Sequence, residues 1–499
     1  MGMPARRGSG RRAGEGGAAA GGAGAGAGAG AGSGALREAL LPDESTALLP
    51  GGLGRAGAAG AGARAGAPRK GGGGKQLTRA RASLAMANTT LGAGIMALPY
   101  VFKNLGIVLG IATLIFGMWV TGSSMGDLVW SANFMNLPSY PDLVTEVMGR
   151  RHRTMFNLAM LVNNLGVLAV YLRIMGDVLA GDEGMEGAIP RFSGGHGGFL
   201  VGRAFVQGAV AIAILAPLCL LRRIEALARF SDLFLALVLT FCGISLVLGG
   251  VYMLKVWRGV LRMPVPPRMF PTSGEIEPDA LSGAVRLITM FPILLNSFVC
   301  HYNILPIQQA MKPEVRPSVM TAIWQAFLSC TVLYSFVATA LYVTYGRSTR
   351  DDVLLNFNDR AVSQEVLGDL GADLVQNVVP CAYAASLVLT FPFINYTLRE
   401  LAKELLPGRE RTTKHVAVTL GLLVAVYTVS VLVKDVKVIL SVSGSTATVL
   451  IGFVYPPLLR LRLEVDYLTT LQKARLRGLL VMAFVMATVT VGGVASGAA

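Results

Sequence analysis

The 499-residue sequence predicts an all-α polytopic membrane protein, and three observations carry that prediction. Hydrophobic residues make up 53% of the chain and charged residues only 15%, where a soluble chain usually carries about 25%. Mean hydropathy is +0.57. Apolar runs near the roughly 20 residues needed to cross a bilayer recur along the chain. They lie at 83–103, 106–134, 154–180, 201–221, 230–256, 283–308, 319–345, 374–398, 414–433, 436–459 and 478–498. That makes about eleven spans.

The chain opens on a different material. Residues 1–76 repeat Gly and Ala, scatter Arg and hold almost no large apolar side chains, so they cannot bury enough surface to offset their ordering entropy. We expect a disordered cytosolic tail over 1–76 and a single transmembrane domain over 77–499. No compact apolar h-region marks a secretory signal. Inside the tail, Glu44-Ser-Thr-Ala-Leu48-Leu49 has the acidic-dileucine form that clathrin adaptors read when sorting membrane proteins to endosomes, lysosomes or vacuoles. A mildly apolar patch is the plainer reading of Glu44, Leu48 and Leu49.

The first span, Ser83 to Phe102, carries Asn88, Thr89 and Thr90 and then Gly92-Ala93-Gly94. A helix that only crosses a bilayer has no use for these residues. In hydrocarbon every backbone N–H and C=O must be satisfied, so a break is tolerated only where it is buried in protein or lines a cavity. Freed amides hold a carboxylate and freed carbonyls hold a small cation near the midplane.

A net charge of +15 would suggest nucleic acid in a soluble chain. Here the charges sort by side. With a cytosolic N-terminus, about 30 of the 44 Lys and Arg fall inside and about 12 outside, the positive-inside bias of membrane proteins. Nucleic acid is therefore not expected as a partner; the lipid bilayer is. The loop carrying Asp351, Asp352, Asp359, Glu365 and Asp369 is acidic and lies outside. Arg173 and Arg286 fall inside spans near their outer ends, where snorkelling to the interface suits them, although Asp177, one turn from Arg173, offers an ion pair. All five cysteines lie in spans, so no disulfide framework is implied. No metal-ligand spacing, phosphate loop or Ser/His/Asp arrangement stands out. An enzyme is not expected.

The sixth span holds a second break candidate. Pro292 and Pro306 bracket Asn296, Ser297, Cys300 and His301. If spans one to five and six to ten are inverted repeats, the first and sixth helices occupy corresponding places, and interrupted segments in that pair point to a binding site. The spacing therefore suggests a five-plus-five inverted repeat with broken helices 1 and 6, a LeuT-like arrangement, plus one extra helix.

Three stretches resemble the amino acid/auxin permease superfamily, and within it the sodium-coupled neutral amino acid transporters. Asn88-Thr-Thr-Leu-Gly92-Ala-Gly94-Ile-Met-Ala-Leu-Pro99-Tyr100 is similar to that family's first helix. Ser297-Phe-Val-Cys-His301-Tyr-Asn-Ile-Leu-Pro306-Ile is similar to its sixth. Ser386-Leu-Val-Leu-Thr390-Phe-Pro392, followed by Arg399-Glu400, is similar to its eighth, and Ser139-Tyr140-Pro-Asp142-Leu resembles its loop between helices two and three. The resemblance implies a secondary transporter of neutral amino acids at the plasma membrane or a lysosomal or vacuolar membrane. It implies sodium at Asn88 and Thr390, the substrate carboxylate on amides near Thr89, Gly92, Ala93 and Gly94, and the amine near Asn296 and Ser297. The family's outer-loop cysteine pair is absent. The arginine that often follows its eighth-helix proline is replaced around Phe393 to Tyr396.

Plainer readings stand beside these. Asn88 could be interhelical glue, Gly92 and Gly94 a close packing face, and Thr390 a donor to its own i−4 carbonyl. His301 titrates near neutral pH in water and so offers gating or proton coupling, with a structural hydrogen bond as its alternative. No Asp or Glu flanks the first-helix break, which favours sodium over a proton as the coupling ion. A receptor that binds amino acid and signals through its tail is a third reading.

Overall fold

The computed structural model describes residues 76–495 apart from 93, 183–184, 193–201, 222–230, 262–266, 271–287, 289, 407–411, 434 and 465. The tail over 1–75, with Glu44, Leu48 and Leu49, lies outside the described residues, as do Ala93 and Arg286.

Each apolar run of the sequence has a helical counterpart. Among the described residues nine helices are long and apolar enough to cross a membrane, or up to 10 when the bent pair Arg79–Thr90 and Gly94–Leu105 counts as one span. That pair is span 1. Spans 2 to 10 are Ile107–Met135, Arg150–Ala180, Arg203–Leu220, Leu233–Trp257, Met290–Ala310, Pro313–Ser348, Arg360–Leu405, Thr413–Leu432 and Val436–Glu464. The eleventh run forms the helix Thr470–Ala495, span 11. The only strands among the described residues are the two-residue pair Gly181–Asp182 and Met185–Glu186.

Helix ends follow local chemistry. Span 2 stops at Asn136, which takes the left-handed conformation (φ 52°) that Asn tolerates best after Gly, and its N–H caps Ala132 O. Ser139 caps the short helix Tyr140–Met148 through the Asp142 N–H. Large apolar side chains such as Phe116, Ile212, Phe336 and Phe484 remain exposed, and exposed apolar surface repeated on so many spans is what a lipid-facing belt requires.

The two broken spans sit at the centre. The first half of span 1 packs on span 7 and on the second half of span 6. Leu77, just before span 1, donates to Ala310 O at 2.8 Å and accepts from the Lys312 N–H at 3.0 Å, so span 1 begins where span 6 ends. We call this the near face and the opposite side the far face. On the far face, span 7 ends in the short turn Gly346–Ser348, the turn Val353–Asn358 follows, and span 8 opens with the helix Arg360–Asp373, kinked at Gly368 (φ 76°), before its long helix Val379–Leu405. Val353–Asn358 packs on the second half of span 1, on span 3 and on span 8.

Two charged clusters fasten opposite faces. Toward the near face, Asp127 of span 2 accepts from Arg475 Nη2 at 2.6 Å and Arg460 Nη1 at 3.5 Å, joining spans 2, 10 and 11. At the far end of span 3, Asp177 pairs with Arg173 at 3.2 Å and Arg203 at 2.8 Å. Arg173 is buried at 4% exposure. It therefore pairs with Asp177 in the interior and does not snorkel, because the carboxylate one turn away satisfies the guanidinium more closely than the distant interface.

Candidate functional site

Span 1 breaks between Thr90 and Gly94, and its halves meet at 66°. Span 6 breaks over Ser297 to Cys300, between a helix that ends at Asn296 and the helix His301–Ala310. The two breaks touch. A Cβ on Gly94 would lie 2.8 Å from Ser297 Cα, inside any real contact distance, so only glycine lets these backbones come together.

Tyrosine hydroxyls hold the freed carbonyls. Tyr334 of span 7, fully buried, lies 2.8 Å from Thr90 O and 3.2 Å from Ser297 O, so one hydroxyl proton serves both breaks. Tyr383 of span 8 donates to Gly92 O at 3.3 Å, and the Tyr171 hydroxyl stands 3.3 Å from where a Gly92 Cβ would be. Thr90 donates to Met86 O at 2.8 Å and meets the Cys300 thiol at 3.4 Å, a further stitch between the breaks. A tyrosine in mid-span is the signal that would have found these residues, because membrane tyrosines otherwise collect at the interfaces.

The site residues read from the sequence separate into groups. Gly94 and Ser297 meet directly, and Gly92 lies beneath the two tyrosines. Thr89 is exposed in the last turn of the first half-helix and donates to Met86 O. Asn88 is half-buried one turn before the break. Thr390 is half-buried and donates to Ser386 O at 2.9 Å, the plain i−4 bond, which leaves its oxygen able to accept. It lies two turns from Tyr383 on the near-face side, about 10 Å along the helix, and Asn88 lies about 6 Å on the same side of Gly92. Asn296 faces elsewhere. The Thr448 hydroxyl lies 2.9 Å from Asn296 Oδ1 and 2.8 Å from Asn163 Oδ1 of span 3. That hydroxyl has one proton, so one of the amides must turn its N–H toward it. Thr448 closes a π-helical turn, Gly444–Thr448, in span 10, a distortion that often marks functional positions.

His301 is fully buried, and neither ring nitrogen has a hydrogen-bond partner among the described residues. Its ring meets Phe453 edge-on at 6.0 Å, and a Cβ on Gly452 would stand 3.3 Å from Cε1. Span 10 therefore shapes its environment.

The arrangement offers two kinds of polarity. The helix Gly94–Leu105 begins at the break and turns its N-terminal amides and positive dipole end toward it, which favours an anion. The helix Arg79–Thr90 ends there with its last carbonyls, which favour a cation or an ammonium group. A zwitterion matches both. Among the described residues no group of three or more His, Cys, Asp or Glu could hold a metal ion.

Comparison with known proteins identifies the family. The family described as transmembrane amino acid transporter protein matches residues 75–498. Amino acid transporter AVT6E of Arabidopsis thaliana is 31% identical over 420 residues, covering 82% of each chain. Solute carrier family 38 member 10 of Homo sapiens is 24% identical over 406 residues, which are 77% of this chain and 32% of that one. Among solved structures, a manganese transporter of Eremococcus coleocola aligns with a TM-score of 0.48 and 12% identity over 84% of this chain and 86% of that one. By the match over nearly its whole described length, the chain belongs to the transmembrane amino acid transporter protein family.

Proposed function

We propose that the protein is a secondary active transporter of neutral amino acids, driven by a sodium gradient and working by alternating access. The observation that carries this is the junction of the two breaks at Gly94 and Ser297 under the shared Tyr334 hydroxyl. The substrate carboxylate meets the amides that open Gly94–Leu105, beside the close approach of Gly94 to Ser297. The ammonium meets carbonyls at the ends of Arg79–Thr90 and near Ser297, whose oxygen keeps acceptor capacity beside Tyr334. With no ionised side chain among Gly92, Gly94 and Ser297, where the breaks meet, the junction suits a neutral substrate.

Sodium is the coupling ion in this reading. Asn88 and Thr390 supply neutral oxygens on the same side of the break, from helices 1 and 8. An ion shared between them holds those helices together and orders the broken segment, so substrate affinity rises with sodium and, by linkage, sodium affinity rises with substrate. The far face is non-cytosolic, following the charge asymmetry of the loops.

Uptake of radiolabelled glutamine or alanine into proteoliposomes tests the reading, with a sodium gradient or a proton gradient as the sole driving force. Accumulation driven by sodium is the expected result. A second reading is proton coupling, with His301, the first residue of the helix after the second break, as the candidate proton carrier. Accumulation driven by protons alone would establish it. Binding without accumulation under either gradient would leave a receptor.

A further inference from the structure

The far-face connection contains a carboxylate that the site does not use. Asp352 is 1% exposed. Its Oδ1 caps the turn Val353–Asn358 by accepting the Leu354 N–H at 3.0 Å, and its Oδ2 is buried with no donor among the described residues. The surrounding turn is well fixed. Asn356 donates its amide to Ser348 O at 2.8 Å and accepts the Arg350 N–H at 2.8 Å, and Lys103 of span 1 donates to Thr349 O at 3.0 Å.

The charges around Asp352 are nearly all committed elsewhere. From span 3 come Arg173 and Asp177, already paired with each other, and from the start of span 4 comes Arg203, paired with Asp177. Asp351, its neighbour, accepts the Lys437 N–H of span 10 at 3.5 Å. Lys103 is taken by Thr349 O, and span 8 presents the hydroxyl of Tyr383. An ionised Asp352 would thus be a buried anion with one backbone N–H and a second carboxylate nearby, an expensive state for a charge out of water.

We propose that Asp352 is a proton-binding site that makes the seating of the span 7–8 connection depend on the pH of the far-face solution. Seated, the carboxyl holds its proton; released into water, it gives that proton up. Burial first and the Asp177 charge second push the Asp352 carboxyl well above the ordinary carboxylate range, against the opposing Leu354 N–H and Arg173. The seated form therefore binds more protons than the released one. Seating is complete in acid, weakens as pH rises from the ordinary carboxylate range to the raised value, and is regained on acidification.

Seating reaches the site through packed rings. Phe357 of the turn meets Phe241 of span 5 edge-on at 5.8 Å, and Phe241 meets Tyr383 at 5.3 Å. Tyr383 donates to Gly92 O at the break. A released turn withdraws Phe357 and loosens the cap on span 1, which opens the site to the far face. An acidic far-face compartment therefore favours the closed state. This inference rests on the transporter reading for its physiological meaning, but its test does not.

The test is hydrogen exchange of residues 346–359 in the purified full-length protein, corrected for intrinsic rates, from pH about 5 to about 8. Wild-type protection should fall with rising pH, by at most about tenfold per unit for a single proton. Asp352→Asn, which keeps an oxygen for the Leu354 N–H but cannot ionise, should stay protected throughout, and Asp352→Glu should restore a titration at a displaced pH. A wild-type profile flat with pH, or an Asp352→Asn profile that still titrates as wild type does, would overturn the proposal. Because exchange needs no transport, failure here is distinct from a protein that moves no amino acid.

Discussion

Asp127 and Asp352 are the same residue type at the same burial, each 1% exposed, and they keep opposite company. Asp127 accepts from two arginines, one of which, Arg460, lies 4.2 Å over the Trp130 ring and also pairs with Glu464 at 3.3 Å. Asp352 has one backbone N–H. Burial alone therefore does not define a carboxylate's role. Asp127, held by two guanidinium groups, staples the near-face ends of spans 2, 10 and 11, whereas Asp352 has a company suited to the neutral form and so can change state. The asymmetry separates a paired carboxylate on the near face from one on the far face whose state can change.

The largest effect should come from removing the paired carboxylate. Asp127→Ala leaves two part-buried guanidinium groups without their shared anion and should cost about 3–5 kcal/mol, visible as a lower melting temperature in detergent. An unchanged melting temperature would erase the distinction between the clusters. Next comes the shared cap over the breaks. Tyr334→Phe keeps the ring but removes the hydroxyl between Thr90 O and Ser297 O, a loss of about 1–1.5 kcal/mol, or roughly tenfold in substrate affinity by equilibrium binding.

Asp352→Asn should have the opposite sign to Asp127→Ala. At neutral pH it removes the tendency to ionise and should leave the protein as stable as wild type or more so, with the difference vanishing below about pH 3, where wild-type Asp352 is protonated in both seated and released forms. A destabilised Asp352→Asn at neutral pH would mean that its anion is structural after all. The smallest effect on folding belongs to Thr390→Ala, which loses one i−4 bond of a kind that contributes little to a helix. Its signature should be a higher sodium requirement for uptake; unchanged sodium activation in the folded variant would remove Thr390 from the ion site.

The spans were legible because hydrocarbon imposes length and apolarity on each of them locally, and the first break because Gly92 and Gly94 weaken the helix where they stand. The second break was legible only as a region. Pro292 and Pro306 both lie within helical segments, and the chain opens between them at Ser297 to Cys300. What stayed hidden depends on residues far apart in sequence. Tyr334 reaches Thr90 across 244 positions, and Thr448 reaches Asn163 across 285. Asp352 reads in sequence as one acid in a solvated acidic loop. Its burial becomes visible only when that loop folds onto the ends of spans 1, 3 and 8.

The central claim is that substrate binds where the two helix breaks meet, and Gly94 tests it most directly. We would measure equilibrium binding of radiolabelled amino acid to purified Gly94→Ala beside Gly478→Ala, with monodispersity and melting temperature recorded for both. At Gly94 the added methyl collides with the Ser297 backbone, whereas at Gly478 nothing lies within 4 Å. The account predicts that folded Gly94→Ala loses binding while Gly478→Ala binds as wild type. Undiminished binding by a folded Gly94→Ala protein would place the substrate somewhere other than this junction.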